Sequence, residues 1–353
     1  MTRSPKIFLF VSLLLVALLL GGCSGVLASS SWPGVTVVDD VAYVAYANHV
    51  YALRTDNGSM LWRFPEKAEG QRLFFAAPAI ADGHLVVGDY LAVLHSLDPQ
   101  TGQEQWAFTG AQGRWIASPL VVDGRIYAPN ADHNLYALDL QGKLIWKFQA
   151  SKALWSQPVS DGKRIYQASM DHYLYALDPA NGQKIWARDL GGAVVYSPVL
   201  SNAGIIYVST LARNVLAIRA EDGSVVWQKA FENNFWSQPL LHGERLYLGD
   251  LGGKVYALSA QDGTVIWESN LGESLTGAPT WIDGQVVFTT ESGKVIAFTE
   301  EGSQKWVVTL EGKIYNGPVI ADDRLLVGIA QGKVLIQALT PAGQQAWAFE
   351  PPK

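Results

Sequence analysis

Histidines are the first place to look for chemistry in this chain: His49, His84, His95, His133, His172 and His242. Imidazole is a common metal ligand and the usual general base near neutral pH. Two of the six recur in step, because Asp132-His133 and Asp171-His172 stand at the same place in consecutive stretches. Such a pair reads first as solvated turn residues, with a weak metal or proton site as the alternative. A His-Glu-x-x-His zinc helix, a phosphate loop and a Gly-x-Ser-x-Gly elbow are missing. The single cysteine, Cys23, excludes a disulfide within the chain and a Cys-ligated zinc or cluster. No catalytic residue and no metal site is assigned.

A second constellation suits recognition. Phe75, Ile116, Trp155, Val195, Trp236, Thr276 and Tyr315 each stand three residues before a proline. Trp115 and Phe235 lie one residue earlier and Tyr196 one later, with Arg114, Ser156, Gln157, Asn233, Asn234, Gln238 and Asn316 close by. Aromatics with amide and Arg neighbours around a concave mouth make a recognition surface. The expected binding face comprises Phe75, Arg114, Trp115, Trp155, Gln157, Tyr196, Asn234, Phe235, Trp236, Gln238, Tyr315 and Asn316, together with Asp132, His133, Asp171 and His172. Packing between neighbouring sheets is the competing use of the same aromatics.

The elements that position these residues follow from a repeat. Trp62, Trp106, Trp146, Trp186, Trp227, Trp267, Trp306 and Trp347 are spaced 44, 40, 40, 41, 40, 39 and 41 residues apart. Before each lies a phrase such as Ala176-Leu-Asp178-Pro-Ala-Asn-Gly182, and before that a proline, a short apolar run and a pair such as Asp123-Gly124. Each unit reads as four short strands, A to D. Strand A follows the proline, Asp-Gly makes a tight hairpin into strand B, and a Gly turn joins strand C to the Trp-bearing strand D. No stretch carries a capped 3.6-residue apolar period, so helix is scarce.

Four strands per ~40 residues is the period of a propeller blade. The expected fold is all-β, an eight-bladed β-propeller of four-stranded antiparallel blades over residues 35–353, with the eight tryptophans packing blade on blade. The first unit is the weakest, because it lacks the aligned proline. Each unit holds its own four strands, although a terminal strand exchanged between first and last blades is also conceivable. Strand A is nearest the axis, so D–A links and B–C turns share one face, around the mouth of the channel.

Charge and the first segment bound the rest. Lys and Arg number 26 against 32 Asp and Glu, a net −6, which argues against a nucleic-acid partner. Arg3 and Lys6 precede the apolar run Ile7 to Leu20, right for a signal-peptide core and short for a membrane span. Leu20-Gly21-Gly22-Cys23 resembles the lipobox of bacterial lipoproteins. By that resemblance 1–22 is removed, Cys23 is lipidated, and 23–34 is a tether. The body is then extracytoplasmic and anchored. Ser24 is not the Asp that retains enterobacterial lipoproteins at the inner membrane, so in a Gram-negative source the periplasmic side of the outer membrane is expected, and otherwise the cell surface.

The phrase Ser96-Leu-Asp98-Pro-Gln-Thr101-Gly102-Gln-Glu-Gln-Trp106 resembles the repeat of pyrroloquinoline-quinone (PQQ) enzymes, and the resemblance covers essentially all of 35–349. It implies the propeller fold, while function must be argued from a site. Quinoprotein dehydrogenases of this family carry long insertions, often a vicinal Cys pair, and a calcium site, none of which this sequence shows. The other branch is non-catalytic, similar to BamB-type lipoproteins of outer-membrane protein assembly. The favoured reading is thus a lipid-anchored interaction scaffold in the cell envelope, without a cofactor, acting as a monomer or within a hetero-complex of envelope proteins. The alternatives are a PQQ- and calcium-binding oxidoreductase or quinone-binding remnant, and a sugar- or peptide-binding lipoprotein.

Overall fold

The computed structural model describes residues 32–352. The leader, Cys23 and the tether up to Ser31 lie outside the described residues. Strands run from β1 (Gly34–Val38) to β32 (Gln345–Phe349), grouped in eight four-stranded antiparallel sheets. Each sheet uses four consecutive strands, so among the described residues no strand is exchanged between blades. Blade 3 is typical: A is Leu120–Val122, B Arg125–Pro129, C Asn134–Asp139 and D Leu144–Gln149.

Burial along the strands explains their composition. Strands B and C are covered on both sides by neighbouring blades, so they read as continuous apolar runs such as Ile126-Tyr-Ala and Leu135-Tyr-Ala-Leu. Strand D is the outer edge and, past its exposed first residue, alternates, as in Lys184–Asp189, where Trp186 and Arg188 are half-buried between exposed neighbours. The cores are therefore interfaces. Tyr43, Ala45 and Val50 of blade 1 pack with Phe74, Leu85 and Val87, which lead into and form blade 2.

The repeated phrase now has a physical cause in each of its residues. A bulge in every C–D pair sets the tryptophan opposite a small residue, Ala137 opposite Trp146 and Ser96 opposite Trp106. The indole then reaches the C–D turn of the next blade. Trp106 Nε1 donates to the Leu140 carbonyl at 2.8 Å, Trp146 to Pro179 at 2.9 Å and Trp186 to Ala220 at 3.2 Å. The glycine of that turn lies beneath the ring. At Gly182, φ is +72° and an added Cβ would stand 2.5 Å from the Trp146 ring, so both the turn and the stacking require glycine.

Closure repeats the device. Trp347 Nε1 donates to Thr55 at 2.8 Å and its ring covers Gly58, so blade 8 locks onto blade 1 as any blade locks onto the next. Arg324 adds bonds to the Thr55 and Asp56 carbonyls at 3.1 and 2.9 Å.

One boundary moves. Strand A of blade 1 begins at Gly34, inside the stretch read as tether, and Trp32 and Pro33 already belong to the propeller. The register from the Asp39-Asp40 hairpin puts Val35 in the place of the missing proline. Trp32, three residues before it, is then blade 1's counterpart of Phe75 and Trp155.

Candidate functional site

Backbone hydrogen bonds build the face on which the candidates lie. The link from blade 3 to blade 4 is pinned at both ends of its path: Ala150 N–H donates to His133, Leu154 N–H to Asn130, and Met170 N–H to Ala153. D–A links and B–C turns therefore lie together, and each link ties two neighbouring turns.

Within a link, the side chains divide by position. Four residues before the proline stand Phe74, Trp115, Leu154, Val194, Phe235, Leu275 and Ile314, all at most 2% exposed. Trp115 and Phe235 are thus not on a binding face. Trp115 packs on Leu94 and Tyr136, and Phe235 on Tyr256 and Phe231, because an extended link turns alternate side chains into the blade interface. The next position faces the axis. Trp32, Phe75, Ile116, Trp155, Val195, Trp236, Gln157, Gln238, Tyr196 and Asn316 line a central cavity of about 520 Å³.

One arc of this funnel is welded by rings. Trp32 meets Phe75 edge-on at 5.4 Å and Tyr315 at 5.9 Å; Phe75 stacks on Tyr90 at 3.9 Å, and the exposed Arg114 guanidinium sits 4.8 Å above Tyr90. Opposite, Trp155 and Trp236 are half-buried, and Trp155 Nε1 has no hydrogen-bond partner. A polar strap joins distant blades: the Tyr196 hydroxyl donates to Asn316 Oδ1 at 2.5 Å, and Asn316 Nδ2 donates to the Pro33 carbonyl at 2.6 Å. Burial raises the Tyr196 pKa, so the hydroxyl stays a donor. Asn234 is exposed on the outer part of the face, away from the cavity lining.

The Asp-His pairs serve the turns. His133 and His172 have φ of +76° and +78°, the left-handed slot that Gly253 and Gly293 fill in blades 6 and 7. Asp132 accepts from Gln112 N–H at 2.9 Å and the Tyr136 hydroxyl at 2.7 Å. Asp171 repeats this with Ser151 N–H and the Tyr175 hydroxyl, both at 2.8 Å. Burial works to raise the Asp132 pKa, but these hydrogen bonds outweigh it and hold the carboxyl below its usual range. Among the described residues, no group of three or more His, Cys, Asp or Glu is placed to hold a metal.

Blade 2 departs from that pattern in a way the sequence did not reveal. His95, 1% exposed, stands where blades 1, 3, 4 and 6 have a tyrosine. Its Nε2 lies 3.1 Å from Asp89 and its Nδ1 2.6 Å from Glu104, while Arg72 reaches Asp89 at 3.1 Å. A buried carboxylate needs such partners, and the cluster anchors the long link from blade 1.

The funnel does not suit the quinone cofactor. PQQ is a tricarboxylate and its calcium takes six to eight oxygen ligands. Among the described residues lining the cavity, none is Asp, Glu, His, Lys or Arg. These residues fit neither group.

Eight closed blades, a Trp–Gly contact at each junction and an uncharged hub define a propeller of the PQQ-repeat class. Comparison with known proteins then places it: the family described as "Outer membrane protein assembly factor BamB" matches residues 47–190, 170–270 and 251–352, and the chain belongs to that family. The BamB of Legionella pneumophila (strain Paris) is 30% identical over 129 residues, 36% of this chain and 32% of that protein. The match thus spans about a third of that relative's length. Among solved structures, BamB from Moraxella catarrhalis superposes with a TM-score of 0.72 at 18% identity, covering 86% of this chain and 92% of that one. A europium-containing methanol dehydrogenase gives 0.69 at 14% identity, covering 84% and 82%. At such identities both share the fold alone.

Proposed function

We propose that the protein is a non-catalytic, lipid-anchored scaffold of the cell envelope, tethered through Cys23, that docks envelope proteins on its funnel face and serves outer-membrane protein assembly as BamB does. The observation that carries this reading is the hub: a rigid, closed ring offering half-buried Trp155 and Trp236, with Gln157 and Gln238, around a cavity whose described lining holds no Asp, Glu, His, Lys or Arg. Its titratable side chains, Tyr90 and Tyr196, are kept protonated by burial, so neither offers a general base near neutral pH. A rim of aromatics and amides suits complementarity with a protein surface.

The test is chemical crosslinking in the native envelope followed by purification of the protein. A specific partner whose capture falls at least roughly tenfold in Trp236→Ala, with an unchanged melting temperature, supports docking at the funnel. Capture that is indifferent to Trp155→Ala and Trp236→Ala refutes it. The unpaired Trp155 Nε1 favours a second reading, a neutral peptide or sugar inside the funnel. That ligand would quench tryptophan fluorescence in the purified protein and lose affinity in Trp155→Phe.

A further inference from the structure

Trp32 fixes where the chain leaves the propeller. It sits against Phe75 and Tyr315, and Pro33 is held by Asn316. All are lead-in residues of strand A, so the chain arrives near the axis, on the funnel face. Trp32 comes nine residues after Cys23. Nine residues span at most about 32 Å when fully extended. To reach the other side, a tether must first cross a blade, about 14 Å for three strand spacings, and clear side chains at the outer strand and at the far face, about 5 Å each, half the spacing of packed sheets. It must then descend about 17 Å of strand, for a path of roughly 40 Å. The tether is too short for the opposite face to rest on a bilayer that holds Cys23.

Charge divides the faces the same way. The opposite face is made of hairpins, and Asp39, Asp82, Asp123, Asp161, Asp283 and Asp322 begin six of its A–B turns. Five of these, all but Asp161, have positive φ, so turn chemistry selects the residue and the charge comes with it. The C–D turns add Asp98, Asp139, Asp178 and Asp262. The funnel face is mixed instead: Arg114, Lys152, Arg213, Lys313 and Lys333 stand among Asp132, Asp171, Glu232, Glu273 and Glu311. Anionic headgroups therefore repel the first face more than the second.

The geometry points to one orientation: the funnel face is turned toward the lipid surface that holds Cys23, and the acidic hairpin face points away from it. This rests on the lipid-anchor reading above. Any partner docked in the funnel then lies between the propeller and the bilayer.

The test uses the full-length lipidated protein on vesicles of phosphatidylethanolamine and phosphatidylglycerol. A donor dye is placed at Lys152→Cys, in a D–A link, or at Lys163→Cys, in the A–B hairpin of the same region, and the acceptor is on the headgroups. Flotation establishes attachment first. Energy transfer from position 152 is expected to exceed that from 163 by at least roughly twofold, given a separation of about one strand length. Lengthening the tether by about twenty Gly/Ser residues should erase the difference. Equal or stronger transfer from 163, in protein that floats, overturns the orientation and leaves the anchor standing. Lipid-modified protein that stays behind when the vesicles float refutes the anchor, and the orientation with it.

Discussion

The rim and the hub of this propeller are built on different rules. At the rim, one contact is repeated eight times, from Trp62 on Pro99 to Trp347 on Thr55, each indole donating to the next blade's C–D turn and lying over its glycine. At the hub, the equivalent positions are Trp32, Phe75, Ile116, Trp155, Val195, Trp236, Thr276 and Tyr315, and no two neighbours are alike. A position that must be the same in every blade is holding the ring together. A position free to differ from blade to blade is where a particular function can be written. The Asp-His turns are structural as well, although they occur only in blades 3 and 4. The Asp carboxyl holds a link and a strand C tyrosine, and Asp250 with Tyr256 does so in blade 6 without any histidine.

The comparison is broken most forcefully at the seam. Trp347 is 8% exposed, packs over Gly58 and closes the ring. Trp347→Ala should cost about 3–5 kcal/mol, read as a fall in the urea midpoint. An unchanged midpoint would mean that the rim tryptophans do not hold the ring.

The hub should respond far less. Tyr196→Phe removes only the hydroxyl that bridges blade 5 to Asn316 of blade 8. Asn316 keeps its bond to Pro33 and borders a cavity that water can enter, so about 1 kcal/mol is expected. A loss as large as that of Trp347→Ala would make the strap a structural girder and remove the distinction between the two regions.

The same distinction explains what could be read from the sequence. Trp-to-Trp spacing, the turn glycines and the Asp-Gly hairpins are local and repeated, so blade number, strand order and the shared face of links and turns were legible. Hub contacts join residues far apart: Tyr196 to Asn316, Trp32 to Tyr315, Arg114 to Tyr90. No spacing rule encodes them. Aromatic type alone puts Trp115 and Phe235 on the face, whereas their position in the link puts them in the core. Their equivalents Leu154 and Leu275 are ordinary core residues, and that alignment would have placed them. Trp32 escapes the proline pattern because Val35 stands where the other blades have proline. Counting back from the Asp39-Asp40 hairpin recovers it.

The smallest effect tests whether the charged pairs of the funnel face hold its links in place. Glu273, in the link between blades 6 and 7, receives Lys294 Nζ at 2.6 Å and the hydroxyls of Ser292 and Thr290. The Lys294 hydrogen bond first, then that of Ser292, holds its pKa down to about 2, against 4.5 for a free Glu. The folded pKa lies below the unfolded one, so the carboxylate stabilises the fold above about pH 4.5 and that stabilisation is lost as pH falls toward 2. Glu273 and Lys294 side chains are 28% and 38% exposed, which limits the effect to about 1 kcal/mol or less. Glu273→Gln should therefore be slightly less stable than the parent at pH 6, and the gap should close as both are titrated toward pH 2.5. Other carboxylates titrate in both proteins, so the difference between the two curves is the quantity to follow. A gap that does not change with pH would mean that shape rather than charge holds this link. The pairing would then belong with the repeated contacts of the rim.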